Sequence, residues 1–133
     1  MFTALVERLI AEWRDNFIAG LRGEGDIVQR VGAALTAKHK GAMRLLAGSP
    51  HAAELYGEHE RTTAPQFRAF DAEVAAALEA ELTAAGVARP RLLTQLLLAA
   101  SFGIGHKASS PAELGPALRL LAERLLRPEL PGA

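Results

Sequence analysis

The amino-acid sequence predicts an all-α bundle of about six helices, and three observations carry that prediction. Ala and Leu dominate, aromatic residues make up only 5% and β-branched residues are sparse, a balance that favours helix over strand. Apolar residues recur at spacings of three and four along much of the chain. Glycines and Ser-Pro pairs punctuate those runs where helices stop and start. No alternating run is long enough for a strand, and no Asn-Gly or Asp-Gly pair marks a hairpin.

Each element follows from this pattern. The first helix spans about residues 2–21, with Phe2, Leu5, Leu9, Trp13 and Phe17 in one stripe that Val6 and Ile10 widen; Gly23 and Gly25 end it. The second starts at Asp26, whose carboxylate can cap free N–H groups while Gln29 sits at the third helical position. Its apolar side is Ile27, Val28, Val31, Leu35, Ala42, Leu45 and Leu46, and Gly48 closes it. Ser49 and Pro50 open a short polar helix over residues 50–61, since proline loses nothing in a first turn. Thr63 and Gln66 offer another capping box, before a helix with Phe67, Phe70, Val74, Leu78 and Leu82 on one side and Gly86 at its end. Pro90 opens a fifth helix that is apolar nearly all round and is expected to be buried on several sides. Ser110, Pro111 and Glu113 supply the N-cap, first and third positions of the last helix, which runs to Arg127 before Pro128 and Pro131 stop it.

Composition excludes several classes of function. The chain of 133 residues suits one domain, and half of it is apolar, enough to bury a core. Lys plus Arg equals Asp plus Glu at 15 each, so the basic excess of a DNA-reading domain is missing. There is no cysteine, which removes disulfides, zinc fingers and thiol nucleophiles and agrees with a reducing cytoplasm. The opening MFTALVERLIAEW carries Glu7 and Glu12 and does not read as a signal peptide. The longest apolar run, Leu92 to Ile104, is broken by Thr94, Gln95 and Ser101 and falls short of the roughly 20 residues a bilayer needs. A soluble, cytoplasmic protein without membrane contact is expected.

Two helices carry the pattern of a dimer interface. In the last helix, Leu114, Leu118, Leu121 and Leu125 follow spacings of four, three and four, a heptad-like seam, with Leu120 and Leu126 off it. In the fifth, Leu92, Leu96, Ala99 and Gly103 share a face whose small residues permit close backbone approach, while Gln95, Leu98, Phe102 and His106 lie about 100° around. Two helices with two apolar faces each point to a two-fold four-helix bundle built from both subunits; the plainer alternative is that both are core elements of a monomer.

The order and lengths of these helices resemble the regulatory domain of TetR-family transcription regulators. The stretches SPHAAELYGEHERTTAPQFRAFDAEVAAALEAEL and LLTQLLLAASFGIGHKASSPAELGPALRLLAERLL carry the likeness, and FTALVERLIAEW looks like the helix that directly follows the DNA-reading helix in that family. The resemblance covers essentially the whole chain, but it is one of pattern and helix order; the family's usual fingerprint lies in a helix-turn-helix domain that this sequence does not contain. It implies that residues 1–133 form one effector-binding and dimerisation domain. It further implies a homodimer with an apolar pocket per subunit, in which a small apolar or aromatic effector re-angles the first helix. In a complete repressor that movement changes the spacing of two DNA-reading heads, so DNA is a partner only through the absent domain.

If the family arrangement holds, Trp13 and Phe17, His39 and Met43, Phe67 and Phe70, and Phe102 and His106 converge as pocket residues. Plain core packing is the competing role for each aromatic. For His39 the competing role is an exposed or helix-end position, and for His106 a cation beside a helix C-terminus. Arg30, Lys38, Lys40 and Arg44, with no acid after Asp26 in their helix, either attract an anion or form a solvated face.

Motifs for other chemistry are incomplete or absent. His51, Glu54, Glu58 and His59 could hold a metal only in principle, because neither His-Glu-x-x-His nor Glu-x-x-His spacing is present. Gly103-Ile104-Gly105-His106-Lys107-Ala108 fits a loose dinucleotide string but closes a helix rather than linking a strand to one. Phosphate-loop and nucleophile-elbow motifs are absent, so no enzyme, no cofactor and no metal is expected. The competing reading from another class is a dimerisation or protein-interaction module with a filled core and no small ligand.

Overall fold

The structure is a computed structural model that describes residues 2–47 and 64–133, and it is all-helical. The described residues form α1 (Phe2–Leu21), α2 (Ile27–Ala47), α3 (Ala64–Ala84), α4 (Pro90–Lys107) and α5 (Pro111–Leu126), then a 3₁₀ turn, Arg127–Glu129. The short helix expected over residues 50–61, the stop at Gly48, the cap at Thr63 and the cluster of His51, Glu54, Glu58 and His59 all lie outside the described residues. Among the described residues there is no strand, no group of side chains that could hold a metal, and no helix long and apolar enough to cross a membrane.

Local chemistry sets the helix ends. The Asp26 N–H donates to Gln29 Oε1 and the Gln29 N–H donates to Asp26 Oδ1, both at 2.9 Å, a reciprocal capping box. The Gln29 N–H, with Arg127 adding to it, holds the Asp26 carboxyl below its ordinary range. Gly86, at φ 77°, ends α3 as a left-handed cap: the Val87 N–H donates to Leu82 O and the Gly86 N–H to Thr83 O, each at 3.0 Å. Pro90 and Pro111 begin α4 and α5. The start of α5 differs from the expected capping box. Ser110 makes no side-chain cap bond, and the Glu113 carboxylate instead accepts the N–H of Ser109 at 2.6 Å. The long carboxylate reaches one residue beyond the cap, and the Ser110 hydroxyl is left out.

The helices close into a ring: α1 packs on α2, α2 on α5, α5 on α4, α4 on α3, and α3 back on α1. Phe17 and Leu21 of α1, Leu35 of α2, Leu78 and Leu82 of α3, Leu97 of α4, and Leu114, Leu118 and Leu126 of α5 are completely buried inside it. Arg127 donates to Glu123 and to Asp26 Oδ2, tying the end of α5 to the start of α2.

This closure decides which apolar faces turn inward. The seam of α5 is spent within the chain: Leu114 and Leu118 are core residues and Leu121 and Leu125 are half-buried, because α2 and α4 flank α5 on both sides. Of the seam, only Leu121 and Leu125 keep partial exposure; the exposed leucine of α5 is Leu120. Helix α4 buries one face only, through Leu93, Thr94, Leu97 and Ser101, and not the several sides expected of it.

Helix α1 meets the backbone of α2 closely at Gly20. A methyl group at Gly20 would lie 2.9 Å from Ala34 Cα and 3.0 Å from Ala34 N. Backbone cannot rotate away as a side chain can. Gly20→Ala is therefore expected to destabilise the fold by about 1–3 kcal/mol in urea denaturation, despite the roughly 1 kcal/mol that alanine adds in helix propensity. A neutral result would mean that the two helices sit farther apart.

Candidate functional site

Six of the eight expected pocket residues belong to the chain's own interior. Trp13 and Phe17 lie one turn apart on α1, at 8% and 0% exposure. The indole rests over Gly41 of α2, where a methyl group would meet Trp13 Cδ1 at 3.0 Å and Nε1 at 3.1 Å. On its other side the indole meets Phe70 of α3, with ring centroids 6.3 Å apart and planes tilted by 56°. Met43 and Phe67 are half-buried and pack against the same core.

His39 is the polar centre of this end of the bundle. It is buried, and its Nε2 lies 3.1 Å from Ser101 Oγ on α4. The Ser101 hydroxyl donates to Leu98 O at 3.1 Å, so its oxygen accepts the proton of His39 Nε2–H, and hydrogen-bond logic assigns the neutral Nε2–H tautomer. His39 Nδ1 faces Gly105, where a methyl group would come within 2.8 Å of it. Burial first, and the charge of Lys38 second, push the His39 pKa down to about 4. The neighbouring Lys38 ammonium lies 5.9 Å from the centre of the Phe70 ring, and burial lowers its pKa, with Asp71 opposing. The site is thus an aromatic and neutral-imidazole cluster that disfavours added positive charge.

Phe102 and His106 do not join it. They stack on each other on the outside of α4, centroids 6.4 Å apart and planes within 12°, with Phe102 67% exposed. The helical turn explains this: Leu93, Leu97 and Ser101 face inward, which turns Phe102 to solvent. On the same exterior lie Leu92 and Leu96, at 44% and 45% exposure, with Ala99 and Gly103 exposed beside them. The expected interface face of α4 is therefore uncovered in the single chain.

Sequence reasoning missed Ser101, Gly105 and Gly41, and read Lys38 only as one of a cation row. A signal existed for two of them: Leu93, Leu97, Ser101 and Gly105 recur every four residues, which marks the serine and glycine as members of the inward face. The cation row of α2 also divides. Arg30 donates to Glu81 Oε2 and Leu21 O, Lys38 turns inward, and only Lys40 and Arg44 remain outside.

The class that the fold defines is a closed all-helical bundle with one apolar helix face left open. No protein-family model, curated protein or solved structure matches the chain.

Proposed function

We propose that the chain is the homodimerising, effector-sensing domain of a TetR-type transcription repressor, in which a small apolar or aromatic ligand controls DNA binding by an attached helix-turn-helix domain. The observation that carries this reading is the uncovered stripe of Leu92, Leu96, Ala99 and Gly103 on α4. Burying a leucine fully is worth about 1.5–3 kcal/mol, and the stripe offers two, beside small residues that let a second copy of α4 approach closely. A two-fold axis through this face matches each stripe to itself. The sensing half of the reading rests on the cluster of Trp13, His39, Met43, Phe67 and Phe70. A ligand entering there presses on α1 through Trp13, and it acts as an effector only if it binds one arrangement of α1 more tightly than another.

The close fit of the indole over Gly41 and of the imidazole against Gly105 favours a second reading, a dimerisation module whose core is filled. One experiment separates the two. The mass in solution is measured, and thermal unfolding is followed against a library of apolar and aromatic compounds. A ligand specific for the folded state adds about 2.7 kcal/mol at a hundredfold excess over its Kd. A dimer with stabilising compounds supports the sensor, a dimer with none supports the module, and a monomer overturns both.

The interface has its own test. Leu92→Glu with Leu96→Glu is expected to weaken dimerisation at least about 100-fold by analytical ultracentrifugation, while far-ultraviolet circular dichroism of the monomer stays unchanged. An unaltered dimer would place the interface elsewhere.

A further inference from the structure

The outer side of α2 carries a different kind of site, which borders the aromatic cluster at Gly41. An open groove of about 750 Å³ runs along it for about four helical turns, between Asn16 of α1 and Arg119 of α5. Its floor is low because Ala33, Ala37 and Gly41 recur there at intervals of four, and its charge is of one sign. Among the described residues, Lys40, Arg44 and Arg119 line it and no carboxylate does.

Arg14, Arg22, Arg30, Arg89 and Arg127 each pair with a carboxylate, whereas Lys40, Arg44 and Arg119, like Arg8, Arg68, Arg91, Lys107 and Arg124, have no ion-pair partner among the described residues; what sets these three apart is that they line one groove. Arg119 is exposed and lies against two glycines. Its stem packs over Gly32, where a methyl group would lie 3.2 Å from its Cγ, and its head folds back over Gly115, 2.9 Å from where a methyl group would stand. Helices α5 and α2 run antiparallel, since Arg127 meets Asp26 while Arg119 meets Gly32. The Arg119 guanidinium therefore points along the groove towards the level of Thr36 and Lys40. Cations from two helices converge on one concave surface, and the two glycines leave room for the arginine to lie flat.

We propose that this groove binds a small organic polyanion, whose phosphate or carboxylate groups are held by Lys40, Arg44 and Arg119. The volume is in the range of small-molecule sites, and unpaired guanidinium groups are suited to bidentate contacts with either anion. The site borders the aromatic cluster at Gly41, but its cations are no part of that cluster and it needs neither a dimer nor an occupied core.

Isothermal titration calorimetry of the full chain with inorganic pyrophosphate and with citrate tests it, these being compact probes of the two chemistries. Saturable binding of at least one probe is expected, with amide shifts at Ala33, Ala37 and Gly41 by nuclear magnetic resonance. Lys40→Gln with Arg44→Gln should weaken that binding at least tenfold. Gly115→Ala, which keeps every charge but displaces the Arg119 head, should weaken it several-fold. Arg91→Gln, an exposed cation on α4, should leave it unchanged. No saturable binding of either probe overturns the proposal, as does an equal loss in Arg91→Gln, which would mark adventitious attraction to any surface cation. Binding of a short DNA duplex through Lys40 and Arg44, with both small anions ignored, would also overturn it, in favour of a surface for a phosphate backbone.

Discussion

Phe17→Ala is expected to destabilise the chain by about 3–5 kcal/mol, the range for removing a phenylalanine from a packed core. Phe17 is completely buried, on a helix whose inward face is Ile10, Trp13, Phe17 and Leu21. Truncation removes the ring from the middle of that stripe, where α1 meets both α2 and α3, and rigid helices on two sides cannot collapse into the space. In urea the midpoint should fall while the slope stays constant, the mark of lost stability without altered compactness. Phe102→Ala is the matched control. That ring is 67% exposed and its loss should cost the monomer no more than about 0.5 kcal/mol. Equal losses for the two variants at concentrations where the chain is monomeric would mean that α4 is rotated from the orientation described.

The contrast between these two phenylalanines marks where the sequence stops being legible. Helix existence and ends could be read because local chemistry fixes them: the Asp26–Gln29 box, the left-handed cap at Gly86 and the prolines at 90 and 111 act within a few residues of themselves. Which face of a helix turns inward is decided by neighbours that are distant in sequence. Helix α4 offers apolar residues nearly all round, so Leu93 and Leu92 look alike until α3 and α5 select the former. The leucine seam of α5 shows the same limit in reverse. Knobs packing into holes need the same spacing whether the partner helix is in the chain or in a second copy. Leu114 and Leu118 met the intrachain partner. Of the candidate pocket, the aromatic members were legible as apolar positions on α1 and α3. The contact of His39 with Ser101 was not, because it joins residues 62 positions apart.

The burial of His39 also makes stability depend on pH. The His39 ring is buried neutral with its pKa pushed down to about 4, against an ordinary value of 6.5 in the unfolded chain. Between those two values the unfolded chain takes up a proton that the folded chain refuses. The contribution is therefore fully present above pH 6.5, declines as the pH falls below it, and is lost by the time the pH passes through about 4. At about 1.4 kcal/mol per pH unit of separation, the loss amounts to about 3 kcal/mol. Two causes push the same way: burial disfavours the charged ring, and the Lys38 ammonium opposes a second charge nearby. Denaturation free energies measured from pH 7 to pH 4 should show this slope. They should show it much reduced in His39→Gln, whose side-chain amide can still donate to Ser101 but does not titrate. Exposed carboxylates remain in both proteins, and the difference between the two curves isolates the histidine. Titration of the native His39 ring near 6.5, followed by nuclear magnetic resonance, would mean that water reaches it and that this end of the bundle is open in solution. A ring that stays neutral down to about pH 4 would establish a dry site, in which a ligand must replace the packing of Trp13 and Phe70 rather than displace water.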